Sequence, residues 1–455
     1  MPPTEEPATA GRGTTIAQPV HESERIATLD VLRGFAILGI LIPNIFFFGM
    51  PLTASLDTST LPEEGLASTI AWAFMKIFAE FKFVSLFSLL FGVGMIVQMN
   101  RAGAKGAAFG PIYLRRLLLL GGIGLFHALF IWYGDILFVY AMIGFAVFFL
   151  RELPARKLLI GGLALLILSV ILAAGCLGIG AYAATMGENQ RAAQIEDDHE
   201  AADAPASISP GAEDDRWERF INAFSSMSGE PGDLNFAEAE RVAYGEGPFA
   251  ATMIMRGVTW LFMLVFAALS GFAFRVIGMF LIGAALMKLG FFSDRFASTH
   301  RRLLLIALPF GLLLEFTAFG LAAATGFQNA LIVTAGEILH QFASIFVCFG
   351  YLGAIAVIVR AGAFGWLQTG LAAVGRTALS NYLAQSVIVT SIMYWWGLGQ
   401  FGHFSRAELL GLAAIIFTVQ VVFSVLWLKT FRFGPVEWLW RSMTYLRLQP
   451  LRRSA

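Results

Sequence analysis

Residues 29–44 read LDVLRGFAILGILIPN. An aspartate and an arginine stand at the start, and nothing polar follows until Pro43 and Asn44. Extended to about 30–49, the run reaches the roughly 20 apolar residues that cross a bilayer. Placing a guanidinium at or below the lipid interface is costly, so Arg33 asks for a partner or a ligand. Asp30 lies three positions earlier and shares its helix face. Asn44 lies eleven positions later, three turns plus roughly 20°, on the same stripe and about 16 Å farther along it. Pro43 takes the usual donor away from the Gly39 carbonyl. That combination suits a water-filled or substrate-lined cavity. A snorkelling arginine, a capping aspartate and an asparagine joining two helices fit the same residues.

The pattern repeats along the chain. Of its 455 residues 57% are hydrophobic and 14% charged, where a soluble chain holds about a quarter charged. Apolar runs near 30–49, 80–99, 114–133, 135–150, 157–181, 272–290, 303–325, 332–359, 371–396 and 407–428 predict about ten spans, an all-α polytopic bundle. Residues 68–79 and 249–270 read either as interfacial helices or as extensions of their neighbours. A β-barrel would need short alternating segments instead. A net charge of zero gives no basic surface for nucleic acid. Cys176 and Cys348 both sit inside apolar runs, which argues against a disulfide or metal framework.

Orientation follows from Lys and Arg. Most of the 31 fall in the N-terminal tail, in alternate short loops and in the C-terminal tail, so both termini are expected in the cytoplasm. The chain divides into a disordered tail (1–27), an N-terminal transmembrane half with five spans (28–181), an external and largely irregular acidic loop (182–248), a C-terminal transmembrane half (249–432) and a basic tail (433–455). Within the loop, RWERFINAF and FAEAERVAY are expected to form short surface helices.

Few residues can carry chemistry in such a chain. His127 lies in the outer half of the third span, with Asp135 in the turn beyond. On one continuous helix they would be about 12 Å apart, so they pair only if Gly134 folds the chain back. A histidine there bonds two helices together or serves as a general base. EILHQF places Glu337, His340 and Gln341 on one face, at a hydrated helix end or in a cavity. Glu315, the most deeply placed acid, suits a proton site or a neutral hydrogen-bonder. Thr377, Asn381 and Gln385 repeat at four, with Arg376 at the inner surface; the stripe lines either a packed interface or a substrate route. No phosphate loop, HExxH pair or GxSxG elbow is present.

With the first-span motif, KFVSLFSLLFGVGM, HALFIWYGDILFVYA and GRTALSNYLAQSVI together resemble the YeiB-like family, from about Arg25 to Arg432. That resemblance implies a multi-pass protein of the bacterial inner membrane. More distantly, LDVLRGFAILGILIPN is similar to the first-helix motif of transmembrane acyltransferases, among them heparan-α-glucosaminide N-acetyltransferase and the bacterial acyltransferase-three type. These imply transfer of an acyl group from cytoplasmic acyl-CoA to a sugar beyond the membrane. The acyltransferase-three histidine corresponds to Asn44. The glucosaminide branch has an asparagine there, but its partner histidine corresponds to Ser55. His127 is then the base available to replace it.

The leading expectation is therefore a membrane acyltransferase. Arg33 with Asp30, and Arg376, would meet an acyl-CoA donor. Asn44 would polarise the carbonyl. His127, oriented by Asp135 or Glu337, would deprotonate an acceptor on a glycan or lipid headgroup. A proton-coupled transporter or flippase is the alternative, with Glu315, His340 and His127 as relay and Thr377 to Gln385 as route; a scaffold or sensor is the third. Lipids are the surrounding partners, and a homodimer is compatible with the sequence.

Overall fold

In the computed structural model, residues 26–453 are described apart from 57, 59, 60, 107, 198–212 and 227–233. The expected N-terminal tail, up to residue 25, and the DDHEAADAPASISPG stretch of the loop from residue 198 on fall outside the described residues. Everything described is helix and turn; the one β contact is an isolated bridge between Phe431 and Arg452. Eight helices, among the described residues, are long and apolar enough to cross a membrane.

α1 spans Ala27–Gly49. α2 (Leu66–Phe74) continues through a wider π-turn, Met75–Ala79, breaks at Glu80–Phe81 and resumes as α3 (Lys82–Ala104). The break is real backbone chemistry: Phe81 has φ of 59°, where a helix cannot continue. α4 (Phe109–Phe130), the short α5 (Leu137–Phe148) and α6 (Ala155–Asp197) follow. α7 (Glu213–Ser225) and α8 (Leu234–Arg241) lead to α9 (Phe249–Leu269) and α10 (Phe272–Lys288), which meet at Gly271. That glycine has φ of 80° and presses on the Ser169 carbonyl, so no other residue fits. α11 (Asp294–Ala324), α12 (Ala330–Arg360), α13 (Gly365–Arg376), α14 (Ala378–Met393), α15 (Arg406–Thr430) and α16 (Pro435–Tyr445) complete the chain.

Among the described residues eight candidate passes thus stand against the ten expected, with the short α5 also apolar. The 249–270 segment is a full helix, and the expected span at 371–396 is two helices divided at Thr377. The described residues of the 182–248 segment are mostly helical. Its α7 and α8 form where the two short helices were expected, and Phe220, Val242 and Tyr244 are fully buried. The expected C-terminal tail also forms a packed helix, α16.

Without a hydrophobic drive between helices in lipid, close backbone approach holds such a bundle together. A Cβ added at Gly375 would lie 1.9 Å from the Asp30 carbonyl oxygen, and one at Gly34 equally near the Leu371 carbonyl. α1 and α13 therefore touch backbone to backbone, which fixes Asp30 and Arg33 beside Arg376.

Candidate functional site

Three buried polar assemblies occupy the bundle. The first opens at the end of the molecule where α1, α4 and α13 begin or end with arginines. A cavity of about 250 Å³ is lined there by Asp30, Arg33, Arg101, Arg116, Arg376, Glu437 and Arg441. Among the described residues, five arginines and two acids line it. Deeper in, the walls are Ile37, Ile40, Phe87, Leu120, Leu137 and Tyr382. Arg33 donates to Asp30 at 2.9 Å, and the Arg116 guanidinium stacks 3.8 Å over Trp440. α16 forms one wall of the mouth. Its Glu437 accepts from the Leu379 and Ser380 amides at 2.6 and 3.1 Å and so caps α14. Burial pushes the Glu437 pKa above its ordinary value, against these hydrogen bonds.

The second assembly lies beyond the apolar end of this cavity. Gly134 does fold the chain back after α4: His127 Nδ1 is 2.9 Å from Asp135 Oδ2, and its Nε2 is 2.8 Å from Ser386 Oγ. His127 is fully buried. Asp135 also accepts from the Phe138 amide at 2.7 Å, which fixes its carboxylate at the head of α5. The Tyr382 ring packs 5.2 Å from the imidazole, so one side chain separates cavity and histidine. Serine, histidine and aspartate in this order of contact form an acid–base chain that recurs on unrelated folds.

The third assembly surrounds the α2–α3 break. Lys76 meets Glu80 at 2.7 Å and Glu337 at 2.8 Å; Lys82 meets Glu315 at 2.7 Å. His340 bridges Glu315 at 2.6 Å and Glu80 at 3.2 Å. Arg275 donates to Ser344 and to the Gln341 side chain, each at 2.9 Å. The only space beside it among the cavities described is about 30 Å³.

Several expectations need correction. Asn44 is half-buried and does not line the cavity, whose last α1 residue is Ile40. Among the described residues it makes no hydrogen bond to His127, whose ring nitrogens meet Asp135 and Ser386. α1 approaches the histidine's loop instead through Phe48, stacked 3.8 Å on Trp132. Ser55 bonds the Pro51 carbonyl at 3.0 Å and merely closes a turn. Thr377, Asn381 and Gln385 form no route. Asn381 donates to Thr377 Oγ1 and Ser424, and Gln385 to Gln420, so the stripe is spent on α15. Glu337 belongs with Lys76 and does not orient His127.

The sequence reading passed over Ser386, although it lies inside a quoted motif, and over Lys76, Glu80, Lys82 and Arg275. The run MKIFAEFKF holds three of these, spaced four and two apart within apolar residues, a signal that was there to be read.

Residues 286–447 match the family model described as a protein of unknown function (DUF418). The chain is 33% identical to YxaH of Bacillus subtilis over 443 residues, covering 95% of this chain and 98% of that one. It is 29% identical to YeiB of Escherichia coli over 424 residues, covering 92% and 96%. Both relatives bear names that assign no activity. The matched region contributes Arg376, Ser386, Glu437 and Arg441, whereas Arg33, His127 and Asp135 come from the half before it, so both halves build the site. From its full-length likeness to these relatives and its DUF418 region, the chain belongs to the YeiB-like family of multi-pass helical membrane proteins.

Proposed function

We propose that this protein is an acyltransferase of the bacterial inner membrane, moving an acyl group from cytoplasmic acyl-CoA to a hydroxyl or amine on a glycan or lipid headgroup. The observation that carries the reading is the cavity: an arginine-rich mouth, an apolar shaft, and a carboxylate-held histidine one side chain beyond its end. The predominance of Lys and Arg in the same set of short loops supports a cytoplasmic mouth and cytoplasmic termini. Guanidinium groups recognise phosphates through paired, charge-assisted hydrogen bonds, so Arg33, Arg101, Arg116, Arg376 and Arg441 suit the anionic end of a CoA compound. The flexible pantetheine arm and acyl chain then suit the apolar shaft. Asp135 accepts the Nδ1 proton of His127, which leaves Nε2 to take a proton from an attacking group.

The alternative, a proton-coupled transporter, draws on the Lys76–His340 assembly; its ionised groups are matched among themselves, and the space beside them holds about one water. The test is transfer itself. Proteoliposomes carrying the protein receive radiolabelled acetyl-CoA and a bacterial lipid and glycan extract. Label is expected in the extract fraction, and its loss in a folded His127→Gln variant. Label-free extract with an intact protein, or equal labelling by the variant, overturns the reading.

A further inference from the structure

Both nitrogens of His127 are committed. With the imidazole as the Nδ1–H tautomer, Nδ1 donates to the Asp135 carboxylate and Nε2 accepts from the Ser386 hydroxyl at 2.8 Å. An incoming acceptor substrate therefore finds the base already occupied by a serine. We infer that Ser386 is a catalytic nucleophile that carries the acyl group as an ester between donor and acceptor. The inference rests on the acyl-transfer reading and adds a covalent intermediate to it.

Position supports this. Ser386 follows Tyr382, which lines the cavity, by one turn of α14, about 6 Å. Tyr382 Oη accepts the Ile136 amide at 3.4 Å and donates to no oxygen among the described residues. Its proton is thus available to a carbonyl oxygen that reaches the end of the shaft, where an oxyanion would need it. Asp135 acts through the imidazole and is a positioning residue.

The steps balance without any further reagent. Ser386 Oγ bonds to the thioester carbonyl carbon while its proton passes to His127 Nε2. The C–S bond breaks, and the imidazolium, stabilised by Asp135, returns the proton to the sulfur, so CoA leaves as the thiol. The acceptor oxygen or nitrogen then attacks the ester carbon and gives its proton to Nε2. The C–Oγ bond breaks, and Ser386 recovers the proton.

The full chain, purified in detergent, is treated with a long-alkyl fluorophosphonate and analysed by intact mass and peptide mapping. One adduct on Ser386 is expected, absent in Ser386→Ala and slowed at least a hundredfold in His127→Gln. The Ser386→Cys variant, treated with an alkyl methanethiosulfonate, reports whether a chain-bearing reagent reaches the position. An unlabelled wild-type serine overturns the inference whether or not that thiol is modified, because the mechanism needs both access and reactivity. Equal labelling in His127→Gln overturns it as well. CoA-dependent stabilisation without an adduct removes the nucleophile and leaves the donor site standing; an adduct without such stabilisation does the reverse.

Discussion

The cavity beside His127 and the assembly around the α2–α3 break are both buried, polar and built from several helices, yet their charges are arranged oppositely. At the break, Lys76 and Lys82 meet Glu80, Glu315 and Glu337 at 2.7 to 2.8 Å, and Arg275, bonded to Ser344 and Gln341, brings the basic and acidic residues to three each. At the cavity, five arginines and two acids among the described residues line about 250 Å³ of space. Buried ions satisfied by one another hold helices in register. Guanidinium groups gathered around an open volume present donors to an anionic ligand. The first arrangement reads as structure and the second as a binding site.

The strongest way to break that comparison is to unbalance the break. Lys82→Met leaves the Glu315 carboxylate without its cation and is expected to cost about 3–5 kcal/mol, seen as a large fall in Tm. Adding Glu315→Gln should recover much of it. If Lys82→Met leaves Tm unchanged, the assembly does not hold the fold. His127→Gln sharpens the contrast from the other side. Transfer should fall about 10²–10⁴-fold with Tm nearly kept; a collapse of the fold instead would give both regions the same role.

Smaller effects follow at the mouth. Arg33 is partly exposed, so Arg33→Ala is expected to weaken acyl-CoA binding about tenfold, near 1.4 kcal/mol, and to reduce its salt dependence. Binding unaffected by the substitution, measured by equilibrium dialysis, would remove this arginine from the site.

The least effect is expected at the opposite end, where Glu240 accepts the Leu52 amide at 2.6 Å. Burial pushes its pKa up to about 8, against the lowering by that amide. The folded protein keeps this proton while an unfolded chain loses it near the ordinary glutamate value. The carboxyl's contribution is therefore most favourable below about pH 4.5, declines as pH rises, and levels off above about 8. Glu240→Gln should flatten Tm against pH across that window; an unchanged slope would show that another group sets it.

Much of the architecture was legible because lipid imposes one rule, that every backbone group be satisfied within its helix. Run length then predicts passes, eight of which the described helices are long and apolar enough to make. Asp30, Arg33 and Arg376 could be placed together because the helix ends carrying them share a surface. The breaks at Phe81 and Thr377 were not legible, since neither glycine nor proline marks them. Their cause is tertiary: Thr377 is held by Ser424, and Lys76 and Lys82 by acids on α11 and α12. The His127–Asp135 pair depended on a chain reversal that spacing alone left open. Ser386, a small residue in a polar stripe, gained its meaning only from α4 across the bundle. Asn44 shows the converse: a shared stripe with Arg33 places it one turn past the cavity, not in it.

The account's central claim is that the arginine-rich cavity holds a CoA thioester. Thermal unfolding of the detergent-purified protein with CoA, acetyl-CoA, longer acyl-CoAs and ATP tests it most directly. At a hundred times the dissociation constant, binding stabilises the fold by about 2.7 kcal/mol. The account predicts a rise in Tm with acyl-CoA and CoA but not with ATP, kept in His127→Gln and diminished in Arg33→Ala. No rise on a folded sample, or an equal rise with ATP, would contradict it.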